Sequence, residues 1–165
     1  MAKRLRPVTA EFLTEAPTRL VSGALMRAEP AAVFAELTDD ASTWPLWYRE
    51  IRSAAYTGPP PYGVGAGRAV TLRGGARFVE SVIAWEQPVR FVYRVEETNV
   101  PGVRAWAEEW LLTPTAGGGT ALGFTIAVDA APAVRAVLLP ARPGVARSVR
   151  RAAARLDARC GVRAD

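Results

Sequence analysis

The chain contains no histidine and a single cysteine, Cys160. Ser-His-Asp and Cys-His catalysis are excluded, because each needs an imidazole base. A structural zinc site needs several Cys or His ligands, and no such set exists. No disulfide can close within one chain. Lysine is almost missing as well: of 21 basic residues only Lys3 is a lysine. With so much alanine present, that skew reads as coding bias as much as a functional choice. No apolar run approaches the roughly 18 residues of a membrane span. The opening "MAKRLRPVTAEFLTEAP" is basic but lacks the apolar segment of a secretory signal, so a cytoplasmic location is expected. "GVGAG" has no buried strand before it, no helix after it and no lysine, so the Rossmann and Walker readings fail and no cofactor is expected. Any chemistry rests on carboxylates, Tyr, Ser/Thr, Arg, Lys or a bound cofactor.

What is present suits one globular domain. Half of the 165 residues are hydrophobic, enough for a sizeable core. Residues 1–17 read as an N-terminal extension with a helical turn near 9–15, and residues 18–163 as a single domain. The net charge of +5 is uneven. Residues 135–163 hold eight arginines against one acid, Asp157.

Periodicity places the elements. "TRLVSGALMR" (18–27) is strand-like. Pro30, with Val33, Phe34 and Leu37 at helical spacing, gives a short helix, and Pro45 makes "ASTWPLWY" a second piece. "IRSAAYTG" is a short strand and "PPPYGVGAG" a loop or lid. Strands are expected at 67–74, 76–86, 89–98, 104–113 and 119–129, separated by Gly, Pro and Asn clusters. The links are too short for parallel crossovers, so this is an antiparallel meander. "PAVRAVLL" reads as one helix, ended by Pro140 and Pro143. "GVARSVRRAAARLDARC" reads as another, with Val145, Val149, Ala152, Ala153, Leu156 and Cys160 on one stripe and arginines on the other.

The hairpin at "TNVPGV" sets Glu97 against Arg104, Val95 against Trp106, Tyr93 against Glu108 and Phe91 against Trp110. A one-residue slip would put these bulky residues opposite Ala105 and Ala107. The preceding hairpin pairs Val82 with Tyr93 and Glu80 with Val95. Phe78, Glu80, Val82 and Ala84 then share a face with Leu122, Phe124, Ile126 and Val128. The outward row Val79, Ile83 and Trp85 is a candidate homodimer face. Ala121, Gly123, Thr125 and Ala127 suit a solvated or lightly covered face.

In order and spacing, "PAAVFAELTD", "WPLWYREI", "GVGAGR", "FVESVIAWEQPVRFVYRV", "EEWLLTP" and "GGGTALGFTI" resemble the START/Bet v 1-like (SRPBCC) superfamily, in particular its polyketide cyclase/dehydrase and lipid-transport branch. The resemblance covers about residues 18–160. It implies an α+β helix-grip fold: a curved antiparallel sheet of about seven strands, two short helices after the first, and a long C-terminal helix in its grip. It also implies a cavity for lipids, polyketides or other apolar ligands. Trp44 and Trp47 would lie at its mouth, with Phe78, Glu80, Tyr93, Glu108 and Trp110 pointing inward.

The leading expectation is therefore a non-catalytic binding protein for a small hydrophobic ligand. Trp106, Trp110, Tyr93, Phe78 and Phe124 form its wall, and Glu108 and Glu80 orient polar groups. The enzyme alternative is a polyketide cyclase or dehydratase type. There, Glu108 and Tyr93, with Glu80 as a further candidate, move protons, since desolvation by Trp106 and Trp110 would raise the Glu108 pKa. The bland reading of Glu108 is a partner for an arginine such as Arg68 or Arg73. A third reading uses the Arg-rich helix on an acidic partner or, weakly, an anionic membrane. Nucleic acid is not expected, because the helix lacks interleaved aromatics.

Overall fold

The computed structural model describes residues 2–162; Arg163 of the arginine series lies outside them. The elements are β1 (Lys3–Arg4), α1 (Phe12–Glu15), β2 (Thr18–Met26), α2 (Pro30–Thr38), a 3-10 turn (Ala41–Thr43), α3 (Trp44–Trp47), β3 (Ile51–Tyr56), β4 (Gly67–Leu72), β5 (Arg77–Glu86), β6 (Arg90–Thr98), β7 (Val103–Pro114), β8 (Thr120–Ala130) and α4 (Pro132–Val162). Strands β2 to β8 form one antiparallel path in the order β2-β8-β7-β6-β5-β4-β3, with β1 attached to β6. The sheet is curled around α4, the helix-grip arrangement that the resemblance implies. Its concave face, α2, α3 and the apolar stripe of α4 enclose the main core, with Phe34, Trp44, Trp47, Phe91, Trp110 and Leu156 among its buried side chains.

Tyr93 pairs with Glu108 and Phe91 with Trp110, and Val82 pairs with Tyr93 and Glu80 with Val95, as the alternation predicts. At the far end of the β6–β7 hairpin the expectation fails. The last β6–β7 partners are Arg94 and Ala107. Beyond them the strands splay and the N-terminal segment enters the gap. Arg4 pairs with Glu97, Leu5 N donates to Glu96 O, and Arg6 N donates to Arg104 O. Glu97 and Val95 therefore do not face Arg104 and Trp106. At the tip, Pro101 and Gly102 turn the chain. Gly102 has φ +77°, and a Cβ there would stand 2.8 Å from Val134 Cγ2, so glycine is required twice over.

A second correction concerns β5. The register shifts between Val79 and Glu80 and again between Val82 and Ala84. The second bulge reverses the parity of the residues beyond it. Trp85 turns into the main core, 5.8 Å from the Phe34 ring and 5.5 Å from that of Phe91. It does not belong to an outward row with Val79. Ile83 and Ala84 instead pack on a second cluster on the convex face, built by Val8, Phe12 and Leu13 against Val92, Ala105, Ala107 and Ala127. The small side chains of β7 and β8 leave the room that Phe12 and Leu13 fill.

The third correction is that α4 is one helix running through Pro140 and Pro143. Each proline forfeits an N–H bond and frees a carbonyl one turn back, at Ala136 and Leu139. Both of these residues are exposed, and a carbonyl freed at an exposed position can be hydrated, so the helix need not end. Val149, Ala152, Ala153, Leu156 and Cys160 are buried. Arg135, Arg142, Arg147, Arg150 and Arg151 are exposed. The one acid of the segment has a structural task, since Asp157 Oδ1 accepts from Arg27 N and Ala28 N at 2.9 and 2.8 Å. That contact ties α4 to the entry of α2. Among the described residues no helix is long and apolar enough to cross a membrane.

Candidate ligand cavity

Alternation along the strands determines what reaches the concave face. Arg68, Val70 and Leu72 project from β4, Phe78 and Glu80 from β5, Tyr93 from β6, Trp106 and Glu108 from β7, and Phe124 and Ile126 from β8. With Leu20, Trp44, Tyr48, Glu50, Ile51 and the α4 residues Leu138, Gly144, Val145 and Ser148, they line a cavity of about 400 Å³. One helix cannot fill a curved sheet, so the space persists beside α4. Glu50 and Gly144 line the cavity and are exposed, which marks them as rim.

The polar groups of the wall form two linked sets. In the first, the Tyr93 hydroxyl donates to Glu108 Oε2 at 2.6 Å, and Trp106 Nε1 donates to Glu108 Oε1 at 2.8 Å. Trp110 Nε1 donates to the Tyr93 oxygen at 3.2 Å. In the second set, Arg68 Nη2 and Nε both donate to Glu80 Oε2, at 2.7 and 3.1 Å. Arg68 is 0% exposed and Glu80 6%. The guanidinium lies over the rings of Tyr93 and Trp44, 4.3 and 4.4 Å from their centroids, and so joins the two sets.

Burial shapes the protonation of these groups. Burial, then the charge of Glu80, pushes the Glu108 carboxyl up to about 7, against the hydrogen bonds from Tyr93 and Trp106. Burial, then Glu108, holds the Tyr93 hydroxyl well above the ordinary phenol range. Burial also pushes Glu80 up, and the adjacent Arg68 opposes it. Tyr48 is raised by burial and by the charges of Glu108 and Glu50. The wall thus carries one carboxyl near neutrality, one ion pair and phenols that keep their protons.

Of the residues expected at the site, Trp44, Phe78, Glu80, Tyr93, Trp106, Glu108 and Phe124 line the cavity together. Trp47 and Trp110 do not line it. They stand behind the wall, buried, in ring contact with Trp44 at 5.0 and 5.8 Å. Trp44 is itself buried, and its Nε1 donates to Leu37 O, so it lies deep in the core and away from any mouth. Arg73 is turned outward, its Nε donating to Arg49 O at 2.6 Å. The "PPPYGVGAG" loop does not line the cavity either. Its Tyr62 stacks on Tyr56 at 3.7 Å, and Gly65 N donates to Val82 O. Sequence reasoning named Arg68 only as a possible partner of Glu108; the structure pairs it with Glu80 instead and sets it in the wall. The signal was available: Arg68 shares a period-two row with Val70 and Leu72, and that row faces inward.

Residues 18–161 match the family model described as polyketide cyclase/dehydrase and lipid transport. The chain belongs to this family. An uncharacterised protein of Mycobacterium tuberculosis is 31% identical over 144 residues, 87% of this chain and 85% of the relative. Among solved structures, a START superfamily protein from Mycobacterium smegmatis superposes with a TM-score of 0.68 at 11% identity, covering 87% of this chain and 97% of that one. A protein of Thermus thermophilus gives 0.66 at 14% identity over 90% and 100%. Ara h 8.0201 gives 0.59 at 13% over 80% and 94%. These likenesses show a shared fold, and with the family match they agree with the START/Bet v 1-like (SRPBCC) superfamily.

Proposed function

We propose that the protein binds or carries a small hydrophobic ligand, a lipid, polyketide or aromatic compound, between the sheet and α4. The observation that carries this reading is the cavity of about 400 Å³, walled by Leu20, Val70, Phe78, Trp106, Phe124, Ile126 and Val145. A space of that size suits a small ligand, and an apolar lining with a few convergent polar groups is the usual character of such sites. Glu108 and Tyr93 orient the polar part of the ligand, and Glu80 acts through Arg68. The reading is tested by titrating apolar ligands while following tryptophan fluorescence, since Trp106 and Trp44 face the space. Saturable change in the wild type, retained in Glu108→Gln, supports carriage. Absence of any saturable change contradicts it.

One observation favours a second reading, an acid/base enzyme of the cyclase or dehydratase type. Glu108 faces the cavity with its carboxyl near neutrality and bonded to Tyr93, as a general acid or base would be. That reading requires turnover of an enolisable polyketide, abolished in Glu108→Gln with the fold intact.

A further inference from the structure

Glu108 is half-buried and lines the cavity, so part of its side chain is open to whatever occupies that space. Each of its oxygens accepts one bond from the wall, Oε2 from the Tyr93 hydroxyl and Oε1 from Trp106 Nε1. A carboxylate oxygen has two acceptor sites, so each keeps one for a guest. Two donors aimed at one carboxyl suit its ionised form. What the wall lacks is the opposite charge. Among the described residues Arg68 is the one basic side chain that lines the cavity, and its two bonds both go to Glu80 Oε2. Tyr48 at the end of α3 and Ser148 on α4 face the same space without charge, and Glu50 adds a carboxylate at the rim. The lining thus sets three carboxyls, Glu50, Glu80 and Glu108, against one guanidinium. Arg147 and Arg151 of α4 are exposed, where water and salt screen them.

That imbalance selects the guest. A ligand carboxylate would add to the excess of negative charge. A hydroxyl donates to Glu108 but leaves the charge unmatched. A protonated amine on an apolar body meets both needs: its N–H groups donate to the free acceptor sites, and its charge neutralises the carboxylate. Aromatic faces beside it favour a cation further. Trp106 and Phe78, in ring contact at 5.5 Å, line the same space with Tyr48. We propose that the cavity takes a hydrophobic amine, its ammonium on Glu108 and its apolar body against the aromatic wall. This rests on the carrier reading above and specifies the ligand class for that same site.

The test uses three naphthalenes of one shape: naphthylmethylamine, naphthylmethanol and naphthoate, each titrated calorimetrically into the full chain at about pH 8, where an alkyl amine keeps its proton. The amine is expected to bind about 10-fold tighter than the alcohol, the scale of a hydrogen bond to a charged group, with naphthoate weakest. The comparison is repeated in Glu108→Gln, which keeps the shape and removes the charge. There the advantage of the amine over the alcohol disappears. Independently of any variant, the carboxyl carbon resonance of Glu108 reports its titration, which lies near 7 without ligand. Bound amine lowers that midpoint, because an adjacent cation favours the carboxylate, and bound alcohol does not. Binding of the alcohol as tight as that of the amine overturns the amine class and leaves the carrier reading standing. Tightest binding of naphthoate overturns the charge argument. An advantage that survives in Glu108→Gln, or a Glu108 midpoint that does not fall with bound amine, overturns the assignment to Glu108. Failure of all three compounds to bind overturns the carrier reading and this proposal with it.

Discussion

The Tyr93 hydroxyl meets Glu108 Oε2 at 2.6 Å across the β6–β7 ladder, and the two residues are direct partners in register. The bond is braced at both ends. Trp110 donates to the Tyr93 oxygen and Trp106 to the other Glu108 oxygen. A carboxyl between two tryptophans is therefore the acceptor that satisfies two donors of the wall, the buried Tyr93 and the half-buried Trp106. It does so on a wall that faces a cavity.

The same arrangement makes stability depend on pH. The Glu108 carboxyl is raised from 4.5 to about 7, so between these values the folded protein binds more protons than the unfolded chain. Its contribution is complete below 4.5 and is lost as pH rises through about 7. The carboxyl carbon resonance of Glu108 should titrate with a midpoint near 7. Glu108→Gln should remove that transition and flatten the decline in unfolding free energy over the same interval. A midpoint near the ordinary carboxylate value would contradict the burial argument.

Arg68 and Glu80 should behave as one unit. Arg68→Met leaves Glu80 buried and unpaired, which costs about 3–5 kcal/mol. Adding Glu80→Leu should recover most of that loss, because a matched apolar pair needs no desolvation of charge. Denaturant midpoints of the single and double variants measure the coupling. Additive losses would show that the pair is not a unit.

The N-terminal segment should matter to stability but not to the cavity. Leu13 is buried on the convex face with Val8 and Phe12, across the sheet from the ligand wall. Leu13→Ala should cost about 2–4 kcal/mol in chemical unfolding and leave apolar ligand affinity within about 2-fold, since sites without shared contacts are close to additive. A large loss of affinity at unchanged stability would contradict this separation.

Much of the fold is legible in the sequence because residue size alternates with parity. Phe91, Tyr93, Glu108 and Trp110 on one face of β6 and β7 stand against Ala105 and Ala107 on the other, and only one register satisfies both. Where alternation is missing, the reading fails. Ile83, Ala84 and Trp85 are all apolar, so nothing marks the bulge that turns Trp85 inward. The splay beyond Arg94 and Ala107 is filled by Leu5 and Arg6, far away in the chain, and no local pattern in β6 or β7 announces it. Pro140 and Pro143 signal a break that the solvation of the freed carbonyls makes unnecessary. In the site, Glu108 and Tyr93 were legible from register alone. Arg68 was harder, because a buried arginine is sustained only by contacts from other elements: Glu80 on β5, Phe91 and Tyr93 on β6, and Trp44 on α3.

The most direct test of the central claim is native mass spectrometry of the protein purified from its own host, beside a Val145→Trp variant whose indole fills the space next to α4. The account predicts a non-covalent small-molecule adduct on the wild type that is released on denaturation and is missing from Val145→Trp. A bare wild-type mass, or the same adduct on both proteins, would contradict it.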